Sequence, residues 1–117
     1  MSVSRTQEEL PTRVGAGWRE LTCCDPAMFG EPVPMRTLRY TLAAGADGPD
    51  IDLAGEEVML YVAAGSGELK IFDDVAHLEP ESMVWLSPGG SMRLQAGTDG
   101  LDVLVAFASA TAPGTPA

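Results

Sequence analysis

The sequence predicts an all-β domain, a sandwich or barrel. Three observations carry that expectation. Clusters of Gly, Pro or Asp ("FGEPVP", "AAGADGPD", "LAGEE", "AAGSGE", "FDDVAH", "LEPES", "LSPGG", "AGTDG") recur at the roughly eight- to twelve-residue spacing of short strands joined by turns. Apolar and polar residues alternate with period two in "RTLRYTL", where Leu38, Tyr40 and Leu42 share one face and Thr37, Arg39 and Thr41 the other. No long stretch carries an apolar stripe at helical spacing.

In chain order, residues 1–16 ("MSVSRTQEELPTRVGA") are polar, and a helical turn starting near Thr6 with Glu9 as capping partner is stopped by Pro11. This stretch reads as an irregular, flexible arm. Residues 17–110 form the single domain. After "RTLRYTL", the segments "VMLYVAA" and "LDVLVAFA" are apolar nearly throughout, as in strands covered on both faces, and "GELKIFDD" and "MVWLS" complete the set. Residues 111–117, small and proline-rich with no apolar face, read as a disordered tail.

A chain of 117 residues fits one domain that buries roughly two-thirds of its unfolded surface and needs no covalent staples. Seven Lys and Arg against 17 Asp and Glu leave a net charge of −10, which repels polyphosphates and argues against nucleic acid as a partner. No apolar run reaches the roughly 18 residues of a membrane span, and the first ten residues lack the basic start and apolar core of a signal peptide. A soluble cytoplasmic protein is expected. Cys23 and Cys24 are adjacent, so a disulfide between them is strained; they read as thiols, with no further Cys to complete a thiolate metal site.

Within residues 35–109, Tyr61-Val62-Ala63-Ala64-Gly65-Ser66-Gly67 is followed by Pro80-Glu81-Ser82, the strand Met83 to Leu86, and Ser87-Pro88-Gly89. In that order of strands and glycines the chain resembles the cupin family. The resemblance implies a double-stranded β-helix, or jelly-roll barrel, with a metal held by the histidines and glutamate of two motifs. Met92 stands at the position of the second-motif histidine. The His-x-His of the first motif falls in "DGPDIDLAGEE", at Asp50, Asp52 or Ala54, and the motif glutamate falls on Val58, or on Glu57 with a one-residue shift. Neither motif contains a histidine. A transition-metal site of this kind needs several imidazoles with a carboxylate, so the expectation is no metal and no cofactor.

If Met92 points inward, so do Leu94 and Ala96, and on the facing strand Val58, Leu60 and Val62. That interior is apolar, either packed shut or open as a pocket for an apolar ligand. The threading brings Tyr40, Tyr61, Trp85, Arg36, Arg39, Glu57 and Arg93 near the barrel mouths. The resemblance implies a small metal-independent enzyme, an isomerase, cyclase or dehydratase, acting on an apolar carbonyl-bearing metabolite, as in polyketide or other natural-product tailoring. Glu57 is the candidate base, with Tyr61, Tyr40 or Arg39 stabilising the enolate oxygen. Met92, Leu94, Trp85, Leu60, Arg36 and Arg93 are candidate substrate contacts. His77, the sole histidine, lies between the motifs and is the one side chain that titrates near neutrality without perturbation.

Two alternatives stay open. One is a non-catalytic small-molecule binder or sensor. The other is a metal-dependent dioxygenase or isomerase using Asp50, Asp52, Glu57 and His77. Strand edges, the N-terminal arm, and an outer face bearing Met59, Tyr61 and Ala63 suggest a homodimer.

Overall fold

A computed structural model describes residues 12–24, 35–53, 56–86 and 89–109. The described residues form eight strands: β1 (Thr12–Gly15), β2 (Trp18–Cys24), β3 (Met35–Leu42), β4 (Asp47–Asp52), β5 (Glu56–Ile71), β6 (Asp74–Leu78), β7 (Met83–Leu86) and β8 (Ser91–Ser109). Every pairing is antiparallel. No helix among the described residues is long and apolar enough to cross a membrane.

The two long strands, β5 and β8, build the barrel. The first part of β5 pairs with β7 and with the last part of β8, which in turn pairs with β3. With β2 and β1 beyond β3, this gives the sheet β1-β2-β3-β8-β5-β7. The later part of β5 pairs with β6 and with the first part of β8, whose other neighbour is β4. Both strands therefore pass from one sheet into the other, and the two sheets close over one core.

The passage requires a bend, and here the chain departs from the expectation. "AAGSGE" and "AGTDG" are not turns between strands; they are irregularities inside β5 and β8. The register shifts between Val62 and Ala64 and again between Gly65 and Gly67, where the pairing jumps from Leu101 to Ala96. Gly65 has φ +79, and a Cβ there would overlap the carbonyl of Gly100, itself at φ +75. Glycine is needed at this crossing because two backbones meet with no space for a side chain. The turn in "FDDVAH" does join strands, with Ile71 paired to Asp74.

The interior is apolar and its side chains are sealed from solvent. Val58, Leu60 and Val62 from β5, Met92, Leu94 and Ala96 from β8, and Val103, Val105 and Phe107 further along β8 belong to one cluster with Leu38, Tyr40 and Leu42 of β3. Met92 is 1% exposed and lies between Ile51 and Ile71 on the neighbouring strands. Burying side chains of this size stabilises the fold by roughly 1.5–3 kcal/mol each. Alternation turns Met59, Met83, Trp85 and Leu104 outward, where they are exposed on adjacent strands. The run "VMLYVAA" is thus covered on one face only.

β1 begins inside the stretch expected as an arm: Thr12–Gly15 pairs with Trp18–Leu21 in a hairpin. Residues 1–11, the "FGEPVP" turn and the tail expected at 111–117 lie outside the described residues.

Candidate functional site

A cleft of about 560 Å³ opens where β1, β2 and β3 meet β4 and the start of β5. The register explains its chemistry. Arg13 of β1 is opposite Glu20 of β2, and Glu20 is opposite Tyr40 of β3. Side chains directly opposite one another in adjacent antiparallel strands meet on one face. The Arg13 guanidinium donates to both oxygens of Glu20, at 3.0 and 2.8 Å, and the Tyr40 hydroxyl donates to Glu20 Oε2 at 2.5 Å. The Tyr40 ring belongs to the core, 1% exposed, so its hydroxyl needs this partner.

Two steps along the same face, Arg36 lies opposite Phe107. Its guanidinium carbon sits 4.2 Å from the centre of the Phe107 ring, and Nη2 donates to Glu56 Oε1 at 3.1 Å. Asp50 and Asp52 complete the charged rim, with Asp50 held by Arg93 at 2.9 and 3.0 Å.

Burial and the Glu20 carboxylate both favour the protonated hydroxyl of Tyr40, burial more strongly, and raise its pKa well above the ordinary tyrosine value of 10.0. In the unfolded chain Tyr40 ionises near that ordinary value while the folded protein retains the proton. The stabilisation is therefore complete below about pH 10 and is lost as pH rises beyond it. Alkaline unfolding should show this: Tyr40→Phe flattens the decline of stability above about pH 10 that the wild-type chain shows.

The structure divides the sequence-predicted residues between two faces. Tyr40 and Arg36 line the cleft. Met92, Leu94 and Leu60 are sealed in the core, so they border no open space. Glu57 and Tyr61 point away from the interior, because alternation from Val58 and Leu60 sends them to the outer face. Arg39, also on that face, is paired with Asp102 through bonds of 2.9 and 2.5 Å, and so cannot act beside Tyr40. Trp85 is exposed on the outer side of β7, and Arg93 lies outside, bound to Asp50. His77 is exposed on β6, 3.8 Å from Glu68, beside a separate groove near Ser66 and Gly97.

Glu20, Arg13, Glu56 and Phe107 were not singled out by sequence. For Glu56 the signal was present: it shares the parity of Val58, Leu60 and Val62, so the same alternation that excludes Glu57 selects its neighbour. Glu20 and Arg13 depend on a hairpin that the polar N-terminal composition hides.

The donor set does not suit the metal that the resemblance implies. Among the described residues no group of three or more His, Cys, Asp or Glu is placed to hold an ion. The chain's sole histidine is outside the barrel, and Met92 is enclosed by aliphatic side chains.

No protein-family profile and no curated protein matches the chain. Solved structures do. A tryptophan-to-tyrosine variant of oxalate decarboxylase from Bacillus subtilis aligns with a TM-score of 0.78 and 16% identity over 93% of this chain and 30% of that one. A Bacillus subtilis variant of the same enzyme changed at four consecutive residues aligns with a TM-score of 0.78 and 15% identity over 98% of this chain and 32% of that one. A third oxalate decarboxylase structure, concerned with proton-coupled electron transfer, gives 0.79 at 16% identity, over 93% and 30% of the two chains. This chain thus spans about a third of the length of these neighbours. What the likeness shows is the fold: an all-β, cupin-like jelly-roll barrel.

Proposed function

We propose that this chain is a metal-independent, cupin-fold enzyme that moves a proton next to the carbonyl group of a small metabolite, as an isomerase, cyclase or dehydratase does. The observation that carries the reading is the Glu20–Tyr40 pair at the floor of the cleft: a carboxylate and a protonated phenol in direct contact, in a space of small-metabolite size. In the resting site the two groups satisfy each other. A carbonyl oxygen that takes the place of Glu20 on the Tyr40 hydroxyl leaves a lone pair of Glu20 Oε2 to accept a proton from the adjacent carbon, while Arg13 still holds the carboxylate. The electron pair of that C–H bond becomes the carbon–carbon double bond while the carbonyl π pair moves onto oxygen, where the Tyr40 hydroxyl stabilises the enolate; Glu20 exchanges its proton with solvent and then protonates carbon. Arg13, exposed at the cleft edge, orients Glu20.

One of the neighbouring structures concerns the Mn(II) centres of oxalate decarboxylase. Among the described residues no donor set suits such a centre, and no step here passes through a metal. The cleft's charged lining also favours a polar carbonyl compound over the apolar one expected from sequence.

The test is exchange of the α-protons of hydroxyacetone for deuterium in D₂O, followed by proton NMR. The account predicts exchange faster than in matched buffer. Exchange at the buffer rate, with cleft amides shifting on titration, would favour the non-catalytic binder instead, a reading consistent with the ion pairs that already engage Glu20 and Glu56.

A further inference from the structure

We infer that the cleft selects a carbonyl compound carrying a positive charge, and that Arg36 occupies the seat of that charge when the ligand is absent. This rests on the cleft being the site of the proposed function. The first support is the balance of charge among the described residues around the space: four carboxylates, Glu20, Asp50, Asp52 and Glu56, face two guanidiniums, Arg13 and Arg36. With Arg93, which binds Asp50 from outside, counted as well, the described groups still carry more carboxylates than guanidiniums. The rest of the molecule does not reverse this sign, since its net charge is −10. A cleft with such a field concentrates cations and disfavours anions.

The second support is independent of that balance. An aromatic face beside a carboxylate is a recurring arrangement for holding an organic cation. Phe107 and Glu56 form one, and the group now in it is the chain's own Arg36, 4.2 Å from the ring centre and 3.1 Å from Glu56 Oε1. The Arg36 side chain is 37% exposed and is held here by one hydrogen bond to Glu56 together with its contact on the Phe107 ring. A ligand cation that displaces it to solvent takes over both the ring face and the carboxylate. Tyr40, four residues along β3 on the same face, would then meet the carbonyl end of the ligand.

The experiment uses three ketones that differ mainly in charge: acetonyltrimethylammonium, its neutral isostere methyl neopentyl ketone, and levulinate. Each is titrated into the isotope-labelled full chain at low ionic strength, and the amide shifts of β3 and β8 are followed. The cation should bind tightest and levulinate weakest, with roughly a tenfold span, and added salt should narrow the span. Arg36→Ala should strengthen binding of the cation by roughly threefold, because the seat no longer has an internal occupant. Glu56→Gln should weaken it, which gives a second readout if the Arg36 variant folds poorly.

Preference for levulinate, lost in Arg36→Ala, would overturn the inference by making Arg36 an anion anchor. Equal binding of the cation and its neutral isostere would also overturn it. In either case, accelerated exchange of hydroxyacetone would leave the proposed function standing. If none of the three ketones shifts a cleft amide and hydroxyacetone exchanges at the buffer rate, both fail.

Discussion

Met92→His is expected to destabilise the fold by about 2–4 kcal/mol and to confer no metal binding. The substitution installs a histidine where the cupin resemblance places one. The surroundings decide the outcome. Met92 is 1% exposed, with Ile51 and Ile71 opposite it on the flanking strands and Leu94 on the same face. An imidazole there brings one N–H donor and one nitrogen acceptor into a core whose described members offer no polar side chain besides the Tyr40 hydroxyl, already bound to Glu20. Both atoms would be desolvated without a partner. The loss should deepen as pH falls below about 6.5, because the unfolded chain takes up a proton that the buried imidazole resists. Chemical denaturation with and without Mn(II) measures both effects. A variant of unchanged stability, or one stabilised by Mn(II), would show that the interior has a latent ion site.

The second large effect concerns the cleft. Glu20→Gln should slow α-proton exchange by about 100-fold or more, since the amide cannot accept the proton. Tyr40→Phe should slow it by roughly 10- to 100-fold through loss of the enolate's hydrogen-bond donor. The cost to folding should be much smaller, about 1 kcal/mol for Tyr40→Phe, because Arg13 still binds Glu20 when the hydroxyl is gone. The contrast between a large rate effect and a small stability effect distinguishes a reacting pair from a structural hydrogen bond. The exposed Glu57, one residue from Glu56 but on the outer face, provides the control: Glu57→Gln should leave exchange unchanged.

The fold was legible where local pattern and tertiary environment agree. Alternation in β3 placed Leu38, Tyr40 and Leu42 on the core face, and parity placed Met92, Leu94 and Leu60 inside. Glycine was a less direct guide. At Gly65 and Gly100 it marks a crossing between sheets rather than a chain reversal, and only the long-range partner distinguishes the two. The site was legible in part. Tyr40 and Arg36 were named by the threading, and the clean period of two in β3 puts both on the face that lines the cleft. Glu20 and Arg13 could not be named, because their partnership exists only after β1 and β2 add to the sheet beside β3. The threading onto the cupin pattern put Arg39 and Glu57 near the mouth, whereas a one-residue step along a strand places a side chain on the opposite face.

The most direct test of the account is the rate of hydroxyacetone α-proton exchange before and after exhaustive treatment with a strong chelator. The account predicts the same rate, above that of buffer, in both samples, because the reacting groups are Glu20 and Tyr40. Activity lost on chelation and restored by Mn(II) or Fe(II) would contradict it, and would place the chemistry on an ion rather than on this carboxylate–phenol pair.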